Sequence, residues 1–327
     1  MNVKEGDCSV IRHNSERITV IDVCNAEPPD TGGVDQALSG LTSQRGTLGN
    51  FGQKKHPVNP VDYMRNHDVD GIFRYIQTHP DMDHMDGIRH LFDAFSPLNF
   101  WDTDNNKEMD SSSWQGSPYD EADWKFYKNL RDTKPTANPK RLVNLSGDKG
   151  KYWNEAEDGR WHDGLHILAP TEELVNSANE SASDYNDCSY VLLYRTANNK
   201  IVFGGDSHDA TWEHILERHE DSVTNVDLLI APHHGRDSGR SYDFLDILQP
   251  TLTFFGNARS EHLAYDAWSR RGLPIVTNNQ ANCMVVDAGT SPMTLYVTNE
   301  TFAKSKNSLS TWSSRYQAWY VGPIDSI

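Results

Sequence analysis

Apolar positions in this chain gather in short runs separated by polar, glycine-rich and helix-patterned stretches. Cys8–Arg12, Ile18–Val23, Gly71–Gln77, Tyr190–Tyr194, Lys200–Phe203, Val226–Ile230 and Thr251–Phe255 are rich in β-branched and aromatic residues and are predicted as strands, with later ones at Met284–Asp287 and Thr294–Val297. Helical spacing of apolar residues lies between them, at Pro60–Asn66, Met85–Phe95, Ala122–Leu130, Ala210–Arg218, Tyr242–Leu248 and Glu261–Arg271. Strands alternating with helices in this way favour a layered α/β fold over a helical bundle or an all-β sandwich.

The stretch 99–161 breaks the rhythm. It holds Trp101, Trp114, Trp124, Trp153 and Trp161, more than half of the nine tryptophans in the chain. Two readings stand: a peripheral cap whose tryptophans form their own small core, or a surface that meets substrate. The segment from Thr301 onward carries Trp312, Tyr316, Trp319 and Tyr320 among serines, and exposed aromatics in that number are expected to pack back on the domain or on a second copy in a homo-oligomer. Residues 1–300 are expected to form one domain containing the insert, followed by an aromatic tail over 301–327.

Charge narrows the partners. Asp and Glu number 47 against 30 for Lys and Arg, and a formal net charge of −17 repels polyphosphate and anionic membrane at long range. An anionic substrate would need bound metals and local basic residues to overcome that field. No run approaches the roughly 20 apolar residues needed to span a bilayer, and Met1–Asp7 lacks the apolar core of a signal peptide. The four cysteines Cys8, Cys24, Cys188 and Cys283 lie far apart with no CxxC pair, which argues against a zinc ribbon or a dithiol redox motif. A soluble, cytoplasmic protein with no membrane association is the expectation.

The chemistry concentrates at predicted strand ends. Directly after Gly71–Ile76 comes Thr78-His79-Pro80-Asp81-Met82-Asp83-His84, and imidazole nitrogens with carboxylate oxygens are what first-row divalent metals bind. The arrangement recurs in Gly204-Gly205-Asp206-Ser207-His208 after Lys200–Phe203 and in Ala231-Pro232-His233-His234-Gly235 after Val226–Ile230, while Asn186-Asp187-Cys188-Ser189 precedes Tyr190. Gly204-Gly205 lacks the GxGxxG spacing of a nucleotide loop and reads as room for backbone to pass close to a site.

This ordered set, beginning with Gly6-Asp7-Cys8 and the strand ending Ile21-Asp22, resembles the metallo-β-lactamase fold hydrolases, and within them the branch typified by the nuclease domain of ComEC/Rec2-type DNA-uptake proteins. The resemblance runs from Val3 to about Val297, interrupted by the insert. The common family motif is HxHxDH, whereas this chain has His79-x-Asp81-x-Asp83-His84, and aspartate in the second ligand place is a mark of the ComEC-like and choline-esterase-like branches. The resemblance implies an αββα sandwich with an inserted Trp-rich segment and a site for two divalent ions, Zn2+ or Mn2+. His79 and Asp81 would hold the first ion, Asp83, His84 and His233 the second, and Asp206 would bridge them.

A third ligand for the first ion is missing, since the matching region offers Asn186, Asp187 and Ser189, and the nearby His162 and His166 include one, His166, that reads as a sheet-face residue in Leu165-His166-Ile167-Leu168. Adjacent residues of an extended strand point to opposite faces, so His234 is expected to lie behind His233 as a proton donor, with His208 as a second candidate donor. Asp22 matches a structural position of the family. Asp86 and Gly87 are expected to open the helix that follows, and Arg236, Ser238 and Arg240 to offer donors to a phosphate.

Two such ions sharing a water lower its pKa to about 7, and Asp83 or Asp206 could orient the resulting hydroxide. The implied activity is that of a metal-dependent hydrolase, a phosphodiesterase or nuclease acting on nucleic acid. Alternatives are hydrolysis of a small phosphodiester or a phosphocholine-type ester, with the tryptophans as an aromatic cage, or a non-catalytic module stabilised by its metals.

Overall fold

Alternating side chains in very short strands assign each residue to one of three apolar layers. A computed structural model describes residues 1–28, 50–155, 162–182, 184–258 and 262–327. The first sheet has the order β1-β2-β3-β4-β5, from Ser9–Arg12, Ile18–Ile21, Arg74–Ile76, Asn99–Trp101 and Lys140–Leu142, parallel from β2 onward. The second sheet comprises β6 (Leu165–Ala169), β7 (Val191–Arg195), β8 (Lys200–Phe203), β9 (Leu228–Ile230), β10 (Leu252–Phe255) and β11 (Ile275–Thr277), and it is parallel from β8 to β11. A third sheet, β12-β13-β15-β14, is built from Met284–Asp287, Thr294–Val297, Ala318–Pro323 and Trp312–Ser313.

Ile21, Ile76 and Trp101 of the first sheet share one apolar cluster with Leu192, Ile201, Phe203, Leu228 and Phe254 of the second, so the two sheets face each other. Their immediate neighbours Val20, Tyr75 and Phe100 point the other way, onto α1 (Pro60–Asn66), α2 (Ile88–Phe95) and α3 (Glu121–Thr133). After α4 (Glu172–Ser181), helices α5 (Asp209–Val223), α6 (Phe244–Leu248) and α7 (Tyr265–Ser269) cover the outer face of the second sheet, against Leu193, Val202, Leu229 and Phe255. This is the expected αββα sandwich, with strands buried on both faces, which is why they read as continuous apolar runs. Among the described residues no helix is long and apolar enough to cross a membrane.

Every expected strand is present, but β4, β5, β11, β14 and β15 were not expected, and the helix starts differ more. The helix expected from Met85 begins at Ile88, because Gly87 takes a left-handed φ of 87°. Asp86 does not cap it: its carboxylate accepts from the Asn25 amide at 3.0 Å, and Asp123 of α3 accepts from the amides of Gly87 and Arg89 at 2.8 and 3.2 Å. The helix expected at Glu261–Arg271 is Tyr265–Ser269, and Glu261 lies outside the described residues, as does Trp161.

The stretch 99–161 is not irregular throughout. It supplies β4 and β5 to the first sheet and inserts α3 between them, so Trp101 belongs to the core between the sheets and Trp124 to the outer helical layer. Three-residue strands are too short to show alternation, which is why the pattern missed them. The C-terminal aromatics partly enter the third sheet, where β15 pairs with β13, while Trp312 stays 51% exposed.

Candidate metal centre

The carboxyl ends of parallel strands from both sheets converge on one buried pocket. β2 delivers Asp22, β3 runs into His79–His84, β8 ends in Gly204-Gly205-Asp206 and β9 leads to His233 and His234. The Tyr190 amide donates to the Thr78 carbonyl at 3.0 Å and the His233 amide to the Gly205 carbonyl at 2.8 Å, which ties the loops together. Gly205 has φ 52°, and a Cβ there would lie 2.8 Å from the Tyr190 carbonyl oxygen, so this turn admits only glycine and sets Asp206 in the pocket.

Three histidines present the same ring edge inward. His84 places Nδ1 2.8 Å from Asp22 Oδ2, and its Nε2 stands 3.3 Å from Asp206 Oδ1. His79 places Nδ1 3.0 Å from Thr78 Oγ1, whose own proton goes to Asp22 Oδ2 at 2.6 Å. His234 faces Asp7 Oδ1 with Nδ1 at 3.2 Å, and its Nε2 lies 3.6 Å from Asp83 and 3.8 Å from Asp206. A carboxylate, or a hydroxyl already donating elsewhere, can only accept, so at His84 and His79 the partner keeps the proton on Nδ1 and aims Nε2 into the pocket. His234 Nδ1 instead lies near Asp7 without an aligned hydrogen bond.

The Nε2 atoms have no protein partner. His79 Nε2, His84 Nε2, His234 Nε2 and Asp206 Oδ1 are all buried without a hydrogen bond. Unsatisfied buried polar atoms are costly, and so many pointing at one another fit a divalent cation. Ligand atoms close enough to share an ion group as His79, His84 and Asp206, as Asp83, His84 and His234, and as Asp7, Asp206 and His234.

The electrostatics follow from this crowding. Burial disfavours charge on His84, yet Asp206, Asp22 and Asp83 outweigh it and hold its pKa well above the ordinary imidazole value. Burial is likewise overcome at His234, where Asp7 and Asp206 raise the pKa to about 10. Without a metal both rings therefore carry a second proton on Nε2, which a bound cation would displace to reach the lone pair. Asp206 is pushed up by burial but pulled further down by His84, His234 and His79, and ends well below the usual carboxylate range.

His233 differs from its neighbour. Its Nδ1 lies 2.8 Å from Ser238 Oγ and 3.3 Å from a guanidinium nitrogen of Arg240, which can only donate. Its proton therefore belongs on Nε2, 3.7 Å from Asp206 Oδ2, and burial lowers its pKa to about 4. The expectation that one of the pair must turn away assumed an extended strand. Both residues instead take left-handed φ values, 51° and 57°, and both reach the pocket from a tight turn.

The remaining expected residues fall as follows. Asp81 lies at the edge, its Oδ2 3.7 Å from His79 Nε2 and its Oδ1 paired with the Lys107 ammonium. His208 is at the rim: its ring stacks 5.8 Å from that of His233, and its Nε2 meets the Asn186 amide nitrogen at 3.2 Å. Asp187 Oδ1 accepts from the His208 amide and the Thr211 hydroxyl at the start of α5, and the Ser189 hydroxyl accepts from the Asp206 amide at 3.2 Å. His166, on the edge strand β6, lines a separate cavity of about 370 Å³ with Lys149, Arg195 and His219.

Two residues in the pocket had no assigned role from sequence. Asp7 arrives because Gly6 packs directly on Asp83, where a Cβ would lie 1.7 Å from its carbonyl oxygen; the Gly6-Asp7 pair was the available signal. Lys107 follows β4 in a segment whose sequence carries no ligand pattern.

No family model matches this chain, and no curated protein does. Solved structures resemble it distantly. CmlA, a diiron beta-hydroxylase from Streptomyces venezuelae, aligns at 11% identity and a TM-score of 0.43 over 84% of this chain and 51% of that one. A mutant of that hydroxylase aligns with a TM-score of 0.41, also at 11% identity over 84% of this chain and 51% of that one. A diphosphatase from the PhnP family aligns at 11% identity and 0.36 over 83% and 80% of the two chains. This chain spans about half the length of the hydroxylase.

Proposed function

We propose that the protein is a metal-dependent hydrolase whose leading substrate class is the phosphodiester bond, in nucleic acid first and in small diesters second. The observation that supports it is the set of unpartnered Nε2 atoms on His79, His84 and His234 facing the unpartnered Asp206 Oδ1. His84, His234, Asp83 and Asp206 would hold a divalent ion, Zn2+ or Mn2+, with His79 beside them. Such an ion supplies Lewis acidity and a water acidic enough to be deprotonated at neutral pH.

The chain's own residues account for the rest. Asp22 and Thr78 orient His84 and His79 by hydrogen bonds, and Asp7 places a carboxylate 3.2 Å from His234 Nδ1. His233 holds a proton on Nε2 toward the pocket and is placed to hydrogen-bond the charge that develops on a phosphoryl or leaving oxygen. His234 thereby takes the ligand place first expected for His233. Arg236 lines a hollow of about 210 Å³ with Glu5, Asn257, Ala258 and His262 beside the histidine turn and offers a guanidinium to an anion. The ComEC-like resemblance favours DNA or RNA, while the net charge of −17 favours a small diester. The aromatic-cage variant loses support, because Trp101 and Trp124 are core residues.

The test is direct. Protein reloaded with Mn2+ or Zn2+ is assayed on linear DNA, RNA and bis-p-nitrophenyl phosphate beside an Asp83→Ala, His84→Ala double variant. Cleavage of nucleic acid by the parent alone supports the leading reading. Cleavage of the small diester alone moves the substrate class, and equal activity in both proteins ends the metal-hydrolase reading.

A further inference from the structure

We propose that this centre retains a single divalent ion and that the ammonium of Lys107 takes the place of a second one beside Asp81. The inference rests on the metal reading above and departs from the two-ion arrangement that the sequence resemblance implies. Among the described residues, every ligand group close enough to share an ion is linked to the others through His84, Asp206 or His234, and none includes Asp81. Asp81 instead gives one oxygen to Lys107 and directs the other toward His79.

Lys107 is held there by its surroundings. Its carbonyl accepts from Arg131 at 2.7 Å, its amide donates to Asn105 Oδ1 at 3.3 Å, and its ammonium lies 5.5 Å from the centre of the Tyr185 ring. Asn105 is itself fixed by Tyr127 at 2.7 Å and Arg131 at 3.2 Å, so the residue is presented by a buried polar network. A second dication on Asp81 would have to expel this cation or sit against it, and like charges at such range repel strongly in a partly buried site. Lys107 thereby supplies, next to His79, a fixed positive charge where phosphoryl oxygens would otherwise meet a metal.

Full-length protein stripped with chelator and saturated with Mn2+ is desalted, analysed for retained metal and examined by electron paramagnetic resonance. The expected result is one ion per chain with the six-line spectrum of an isolated Mn2+. Lys107→Met is expected to retain two with an exchange-coupled signal, and Lys107→Arg to retain one. Two ions in the parent, or a folded Lys107→Met that still retains one, would overturn the proposal. Asp81→Asn gives a check that does not depend on the Lys107 variants: it is expected to keep the single ion, and its loss would overturn the proposal too. Absence of any retained metal in the parent, or full retention by His84→Ala, would overturn the metal reading itself.

Discussion

Asp22 Oδ2 lies 2.8 Å from His84 Nδ1 while Asp22 Oδ1 accepts the Thr78 amide at 2.7 Å, so one carboxylate fixes both the His84 ring and the loop that carries His79. Sequence resemblance made Asp22 merely structural. Its contact shows a carboxylate–histidine pair of the kind that orients metal ligands.

Asp22→Asn preserves shape but removes the negative acceptor behind His84. Metal affinity is expected to fall by about 10–100-fold, the range for such supporting partners. Chelator competition, with circular dichroism as a check on folding, measures it. Unchanged affinity in a folded variant would show that the pair does not position the ligand.

His233 and His234 are neighbours with opposite predicted defects. His234→Ala removes a buried lone pair and is expected to lose retained metal together with activity. His233→Ala is expected to keep its metal while kcat drops by about 10²–10³-fold, the range for loss of one donor to a developing oxyanion. Elemental analysis beside steady-state kinetics separates them, and metal loss in His233→Ala alone would reverse the assignment.

Much of this centre was legible because ligands cluster at strand ends, where short apolar runs stop and polar residues begin. His79, Asp83, His84 and Asp206 needed only that pattern. The His233-His234 assignment did not follow, because it depends on two left-handed residues that no periodicity reveals. Lys107 was illegible for another reason: it is brought to Asp81 by strand order, and β4 is only three residues long. Trp101 shares that cause, since a tryptophan in a short strand looks the same in sequence as one in a surface loop.

Trp101 is fully buried between the sheets, against Trp153 and Tyr190 at ring-centre distances of 5.3 and 6.2 Å. Trp101→Ala should therefore cost about 3–5 kcal/mol, the cost of emptying a large core position. Urea unfolding followed by far-ultraviolet dichroism tests this. A loss below about 1 kcal/mol would return the residue to a peripheral role.

His13 supplies a pH dependence remote from the metal centre. Its ring is 2% exposed, with Nδ1 3.1 Å from the Asp163 carbonyl and Nε2 2.8 Å from Thr19 Oγ1. Burial lowers its pKa to about 4, with Asp163 opposing and Arg74 adding to the shift. The unfolded chain takes up this proton near pH 6.5, whereas the folded protein resists until about pH 4, so between these values the unfolded state binds more protons. The contribution is complete above about pH 6.5 and is lost as pH falls toward about 4, amounting to about 1–2 kcal/mol at about pH 5. Other groups titrate in the same window, so the informative quantity is a difference between proteins. The parent should lose about 1–2 kcal/mol more than His13→Gln between about pH 7.5 and about pH 5 in urea unfolding, since a glutamine keeps polar contacts but cannot charge. Equal losses in the two proteins would mean that His13 takes up its proton as readily folded as unfolded, and that its burial between Asp163 and Thr19 does not restrain it.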